Sequence, residues 1–587
     1  MKTLFFSIFA AVLLILSCNK QTDGWIRINQ LGYRPDDIKV AVFLTTGITQ
    51  PESFRLVDVS SGKTVLDKTE IENTGELPPF KNCYRLSFTE LKVEGTYRIE
   101  AGEAVSHEFR ISDDVYNGTA DFLLKYMRQQ RCGFNPWLND SCHIHDGYII
   151  YGGETDSVHI DATGGWHDAA DYLQYVATSA NATYQMLFAY SDNPSAFDDN
   201  FLADGLPGKD GIPDILNESR WGLEWLLKMN PSPGVMYNQI ADDRDHIGFR
   251  FPNNDTADYG KGSERPVYRC TGEPQGLFKY KNRTTGIAST AGKFASAFAI
   301  GARVYKSIDP GLSGLLITKA TSAFIYGLEN PGACQTAPGT APYFYEEDNW
   351  ADDMELAAIE LYKITNDERY LEHAVEFGRM EPVTPWIGAD SALHYQWYPF
   401  VNMGHPGIAS VIDNDGIKDE FLKNMKEGLE RIRTRGEKNP FLIGVPFIWC
   451  SNNLVAATLT QAKLYSRISG DLSFAELEAA HRDWLFGCNP WGTSMIVGLP
   501  ENGDYPENTH SSYVVKGEQV PGGLVDGPVY ATIFNTNKYI YLSQEDEYAR
   551  FQNSLAVYHD DFGDYSTNEC TMDGTACLVY YLSSLQK

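Results

Sequence analysis

The sequence predicts a mainly α protein, an α/α barrel preceded by a small β-sandwich. Three observations carry this reading. Between residues 24 and 113, segments such as IRINQLGY, KVAVFLTT, SFRLVDV, YRLSFTEL, GTYRIEAG and SHEFRIS alternate or run apolar, with Gly, Pro and Asp between them. Short strands at that spacing make a sandwich. From residue 114 to 587 the apolar period changes to three and four, from DFLLKYMRQQ through ADYLQYVATSANATYQMLFAY to FAELEAAHRDWLFG, and this is the helix period. Long loops rich in Gly, Pro, Asn and Asp separate these helices, notably 231–288 and 487–535. Loops on a rigid scaffold are where binding and chemistry concentrate.

Composition narrows the function. The chain has 587 residues and a formal net charge of −30. Such an acidic surface repels nucleic acid, whose phosphates need a basic face. Aromatic residues make up 13% of the chain, more than a core requires. Flat rings with a polar edge suit the faces of sugars.

The first twenty residues read MKTLFFSIFAAVLLILSCNK. One basic residue, Lys2, precedes an apolar run from Leu4 to Leu16 that is too short for a comfortable membrane span and looks like an export signal. Ile-Leu-Ser-Cys at 15–18 resembles a bacterial lipoprotein box. It implies a signal segment over 1–18, lipidation at Cys18 and an outer-membrane tether; an ordinary signal with a chance cysteine is the alternative. Nine cysteines remain, at 83, 132, 142, 270, 334, 450, 488, 570 and 577. An odd, scattered set is a poor disulfide framework.

Two acidic stretches carry the chemistry. GGWHDAADY, residues 164–172, places Asp168 and Asp171 three apart, a spacing that shares one face of a helix. YHDDFGDYSTNECTMDGTACL, residues 558–578, sets Glu569 behind Asp560, Asp561 and Asp564. Acidic neighbours and burial raise a carboxyl pKa, and a raised Glu serves as a general acid near neutral pH. An ionised carboxylate opposite it activates water, and two carboxyl groups in unlike environments make a glycosidase pair. Taken alone, each stretch also reads as a solvated acidic surface, the first favoured by a helix dipole.

Longer motifs sharpen this. GGWHDAADY resembles the Gly-Gly-Trp-x-Asp-Ala-Gly-Asp stretch of glycoside hydrolase family 9, the inverting β-1,4-glucanases, with Ala170 where the family usually has Gly. GCNPWGTSMIVG (487–498), VPGGLVDGP (520–528) and the spacing of Tyr558, Asp560, Tyr565 and Glu569 resemble its later motifs, in order. INQLGY (28–33) resembles the start of the immunoglobulin-like module found before many members. The resemblance implies an (α/α)6 barrel after an immunoglobulin-like sandwich. Asp171 becomes the general base, Asp168 a second acceptor for the attacking water and Glu569 the general acid. The product is that of endo-acting cleavage of cellulose-like, mixed-linkage or xyloglucan chains by a monomer. An exo-acting glucosidase or glucosaminidase of the same family and a non-catalytic glycan-binding lipoprotein are the competing readings.

The resemblance also implies metal sites. Cys132, Cys142, His143 and His167 match a structural zinc site of two thiolates and two imidazoles; a Cys132–Cys142 disulfide is the alternative. Asp352 and Asp353, with Asp390, match a calcium site, and helix-start acids are the alternative. His510 matches a sugar-contacting histidine, but Ser512 stands where the family has Arg. Trp166, Trp350, Trp397 and Tyr565 are the expected sugar platforms, although any single aromatic is more often core.

Overall fold

The computed structural model describes residues 23–47, 50–389 and 392–587. The signal segment with Cys18, and Asp390 of the expected calcium set, lie outside the described residues.

The N-terminal strands form two facing sheets. One orders Gly24–Arg27, Val40–Thr45, Phe80–Ser87 and Glu72–Leu77; the other orders Thr64–Lys68, Phe54–Asp58, Gly95–Ala101 and Ala104–Val105, with Phe109–Ile111 also on Gly95–Ala101. The central strand VAVFLT shows why the run is apolar throughout rather than alternating. Side chains on a strand point to opposite faces in turn. Ala41 and Phe43 face the sandwich interior with Ile26, Leu56 and Ile99. Val42 and Leu44 face the other way and join the barrel's own core, as do Phe80 and Cys83.

Polar contacts fix the angle between the two units, and several come from the INQLGY stretch. Asn29 Nδ2 donates to Asp483 at 2.8 Å, and Gln30 Nε2 to the Gly492 carbonyl at 2.7 Å. Arg482, 3% exposed, reaches Asp37 at 3.1 Å and Asp483 at 2.8 Å.

Among the described residues the helices make a double ring. Val176–Asp192, Ala288–Tyr305, Ala351–Thr365, Gly404–Val411, Ser451–Ser469 and Met572–Ser583 pack in that order, and the last closes on the first. Thr119–Gln129, Asp214–Met229, Pro310–Glu329, Glu368–Met380, Asp415–Gly436 and Ala475–Leu485 lie outside them. The inner helices are buried almost all round, as Ala288–Tyr305 shows with ASTAGKFASAFAIGARVY; the outer Glu368–Met380 buries only one stripe. Among the described residues no helix is long and apolar enough to cross a membrane. The 231–288 loop contains two strands that the residue pattern did not suggest. Tyr237–Ile240 and Pro266–Arg269 pair with each other, Gln174–Tyr175 joins the first and Tyr148–Ile150 the second.

Replacing Arg482 by Met leaves the Asp483 carboxylate buried without its cation, while Asp37 keeps Arg34 at 2.8 Å. Urea denaturation is expected to show a loss of about 3–5 kcal/mol.

Candidate active site

Residues 168–175 are not helical. The helix expected to begin near Ala170 begins at Val176, after the short strand Gln174–Tyr175. The backbone groups before it are spent elsewhere. His167 N–H donates to the Gln130 carbonyl at 2.8 Å, Asp168 N–H to the Leu173 carbonyl at 2.9 Å and Tyr172 N–H to Asp245 at 2.8 Å. Asp168 and Asp171 therefore sit on a loop turn and not on one helix face.

The two carboxylates have different surroundings. Asp168 is 4% exposed. One of its oxygens accepts the Thr178 hydroxyl at 2.5 Å and the other accepts the Tyr345 hydroxyl. Burial, then the charges of Asp573 and Asp171, push its pKa well above the usual carboxylate range, against the two hydroxyls. Asp171 is partly open to solvent. It accepts the Leu173 N–H at 3.2 Å and lies 3.3 Å from His246 Nε2. Asp171 is thus the member of the pair accessible to a water from the cleft.

Glu569 reaches the same turn from the other end of the chain. The Ala170 N–H donates to its Oε1 at 3.0 Å across 399 residues of sequence. Its own carbonyl accepts the Asp526 N–H at 2.7 Å. Burial, with Asp526 and Asp171 nearby, raises the Glu569 pKa well above its ordinary value; the Ala170 bond and His246 oppose this. The acid expected from the crowd at 560–564 does lie raised, but those residues serve otherwise. Asp560 accepts the Glu507 and Asn508 N–H groups, and Asp564 holds His559. Asp526, remote in sequence, is the acid that acts on Glu569.

His246 carries no sequence signature. It lies just beyond strand Tyr237–Ile240, which pairs with Gln174–Tyr175 and so brings the following loop to the turn. Burial works to lower its pKa, but Asp171, Asp245 and Glu569 carry it up to about 9. At neutral pH it is an imidazolium beside Asp171. A group raised from about 6.5 to about 9 contributes its full stabilisation below pH 6.5 and loses it as the pH climbs through 9.

The expected zinc residues converge. Cys132, Cys142, His143 and His167 offer ligand atoms that all lie within 4.8 Å of one another, and this is the cluster of three or more such groups found among the described residues. Both cysteines are free thiols. His167 Nε2 and His143 Nδ1 stand 3.3 Å apart, and Cys142 Sγ lies 3.9 Å from His167 Nε2. Two imidazoles on a tetrahedral zinc, at about 2.0–2.1 Å each, stand about 3.3 Å apart, so the donors fit. His143 Nε2 meets Asp255 at 3.0 Å, the kind of outer partner that orients a ligating ring. Asp255 also accepts from Arg250 at 2.6 Å, and Arg250 donates to Asp245 at 2.7 Å. A chain of charges therefore links this cluster to the loop that holds Tyr172 and His246.

Of the expected calcium residues, Asp352 and Asp353 are among the described residues and Asp390 is not. Asp353 and Glu347 accept from the buried ammonium of Lys293, the first at 2.6 Å. Asp352 accepts from Asn349 Nδ2 at 3.0 Å. The positive charge at Asp353 comes from the chain itself.

The platform residues divide. Trp166 is fully buried and its indole N–H donates to Glu218 at 2.8 Å, so it is core and not platform; Gly222, which an added Cβ would drive into the indole, closes over it. Trp350 packs edge-on against Phe377, and Trp397 is half-buried against the main core. Tyr565 does border the site, with Trp449 at 5.6 Å and His510 at 5.9 Å between ring centroids. His510 Nδ1 lies 2.6 Å from the Phe562 carbonyl, and burial lowers its pKa. The neutral ring donates there and keeps a lone pair on Nε2. Ser512 supplies no cation; its hydroxyl accepts the Arg250 N–H at 3.1 Å. Tyr343, Tyr345, His394 and Tyr395 form a continuous aromatic wall that the sequence reading missed, with centroids 4.3–5.6 Å apart.

Comparison with known proteins places this geometry. Residues 116–582 match the model of glycosyl hydrolase family 9, and residues 21–106 match the cellulase N-terminal ig-like domain. The chain belongs to glycosyl hydrolase family 9. It is therefore a glycoside hydrolase by family. Endoglucanase C of Cellulomonas fimi is 25% identical over 95% of this chain, which spans only 51% of that protein. A cellodextrinase of Butyrivibrio fibrisolvens is 25% identical over 95% of this chain and 99% of its own. A crystal structure of a metagenome-derived family 9 endoglucanase is 27% identical, with a TM-score of 0.75 over 96% of this chain and 99% of its own.

His246→Gln removes the imidazolium beside Asp171 and keeps a donor. The wild-type rate is expected to fall as the pH rises through about 9; the variant is expected to lose that limb, read from a pH profile of kcat/KM.

Proposed function

We propose that the protein cleaves β-1,4-linked glucan chains internally with inversion of the anomeric carbon. The observation that carries this is the bond from the Ala170 amide to Glu569, which sets an acid kept protonated against the turn that bears Asp171. In the reaction Asp171 takes a proton from a water as that water attacks the anomeric carbon. Glu569 gives its proton to the departing glycosidic oxygen. Inversion needs the two carboxyl groups roughly 6.5–9.5 Å apart so that the water fits between. His246 sets a positive charge 3.3 Å from Asp171. Asp168 acts through Thr178 and Tyr345 to fix the turn.

Cys132, Cys142, His143 and His167 would hold a zinc ion whose contribution is to tie the 132–143 segment to the residue preceding Asp168. Four protein donors leave no open position, which is the pattern of a structural site. The substrate is a soluble β-glucan, cellulose-like, mixed-linkage or xyloglucan. The leader sequence supports export and a tether at Cys18, to be checked by mass spectrometry of the mature N-terminus.

Glu569→Gln is expected to lower reducing-sugar release on soluble β-glucan by about 10²–10⁴-fold while binding to the polymer persists. An unchanged rate removes Glu569 from the mechanism. NMR of the first product gives the anomer, and a β anomer refutes inversion; the size distribution of early products separates internal from terminal attack. Cys142→Ala is expected to lower the zinc content, measured by elemental analysis of the purified protein, and to lower the melting temperature with it.

A further inference from the structure

Residues 537–544, NKYIYLSQ, are an exposed arm bound tightly to the segment that carries Glu569. The Tyr565 hydroxyl donates to the Lys538 carbonyl at 2.6 Å. The Tyr541 N–H reaches the Gly563 carbonyl at 3.4 Å. One oxygen of Asp561 accepts the Ser543 N–H at 2.8 Å, the Ser543 hydroxyl at 2.9 Å and the Gln544 N–H at 3.1 Å. Gly563 packs so closely on the arm that an added Cβ would overlap the Tyr541 carbonyl. The arm is thus fixed to a segment that begins at Asp561 and ends, eight residues on, at the acid.

What this fixed arm displays is apolar. Tyr539 is 90% exposed and Tyr541 is 59% exposed, with Leu542 beside them. Tyr539 also has φ +67°, the left-handed region that a bulky L residue rarely adopts and that persists only where the surroundings impose it. A loop held this firmly need not present two phenol rings to water, since exposed apolar patches mark contact surfaces. The arm is continuous with the aromatic residues of the site, because Tyr565, whose hydroxyl holds Lys538, lies 5.6 Å from Trp449 and 5.9 Å from His510 between centroids. A ring face with a hydroxyl at its edge suits the apolar face and equatorial hydroxyls of a pyranose.

We propose that Tyr539 and Tyr541 form an accessory sugar-binding platform that extends the cleft beyond the reacting bond and receives distant residues of a polymeric β-glucan. The inference rests on the β-glucan reading and adds a preference for long chains. Its surface lies on the Glu569 side of the cleft, and its contribution grows with the number of sugars that reach past Tyr565.

The test uses Tyr539→Ala/Tyr541→Ala and Tyr539→Phe/Tyr541→Phe in the full chain. The measured quantity is the ratio of kcat/KM on a soluble β-glucan polymer to kcat/KM on a short chromogenic cello-oligosaccharide. The Ala variant is expected to lower this ratio about five- to tenfold, through KM for the polymer, and the Phe variant to restore it. An unchanged ratio in the Ala variant overturns the platform. If the wild-type protein is inert on every β-glucan, the catalytic reading fails first. Retardation of the wild type in gels containing the polymer then decides the platform, and equal migration of wild type and Ala variant, or no retardation, overturns it.

Discussion

One hydrogen bond, from the Ala170 amide to Glu569, joins the two ends of the barrel sequence at the point of chemistry. Its position depends on ring closure. Helix Met572–Ser583 must return to Val176–Asp192 for Glu569 to meet the turn, and the Met572 N–H does so by donating to the Asp168 carbonyl at 3.0 Å. The packing around this bond sets the electrostatics. Burial beside Asp526 and Asp171 favours the protonated form of Glu569, against the bond itself. The acid is thus raised and brought to the turn that bears Asp171 by one packing arrangement rather than by separate devices.

The surrounding charges divide the same way. On one side His246 adds positive charge to Asp171. On the other, Asp526 withholds it from Glu569. Behind the turn, the chain from Asp245 through Arg250 and Asp255 to His143 connects the reacting loop to the cysteine and histidine cluster. Of these carboxylates, Asp245 meets Arg250 and Asp255 meets Arg250 and His143, so each has a cation or an imidazole. The Lys293 ammonium between Asp353 and Glu347 follows the same rule in the opposite wall.

Much of the fold was legible because it rests on periodicity. The strands of 24–111 and the long helices appear in the residue pattern. The acidic turn was legible as residues but not as conformation. DAADYLQY has helical spacing, yet pairing of Gln174–Tyr175 with Gln239–Ile240 wins over local propensity. Asp168, Asp171, Glu569 and the four metal-type ligands were found because they lie in dense motifs. His246, Tyr345 and Trp449 were not, because each stands alone in a loop and only the barrel gathers them; Asp526 lies inside VPGGLVDGP but was not singled out there. Trp166 misled for the opposite reason: it sits inside the motif, but its role there is to fill the space beneath the turn and bond Glu218.

The strand VAVFLT contributes to two interiors at once, with Phe43 in the sandwich and Val42 and Leu44 in the barrel. A sandwich wired to its neighbour in this way is not a detachable bead. Cutting the chain near residue 113 would uncover an oily wall on the remaining barrel, part the Asp483 carboxyl from Asn29 and part Arg482 from Asp37. The two units should melt as a single cooperative body, and evolution can exchange one only by redesigning the surface of the other.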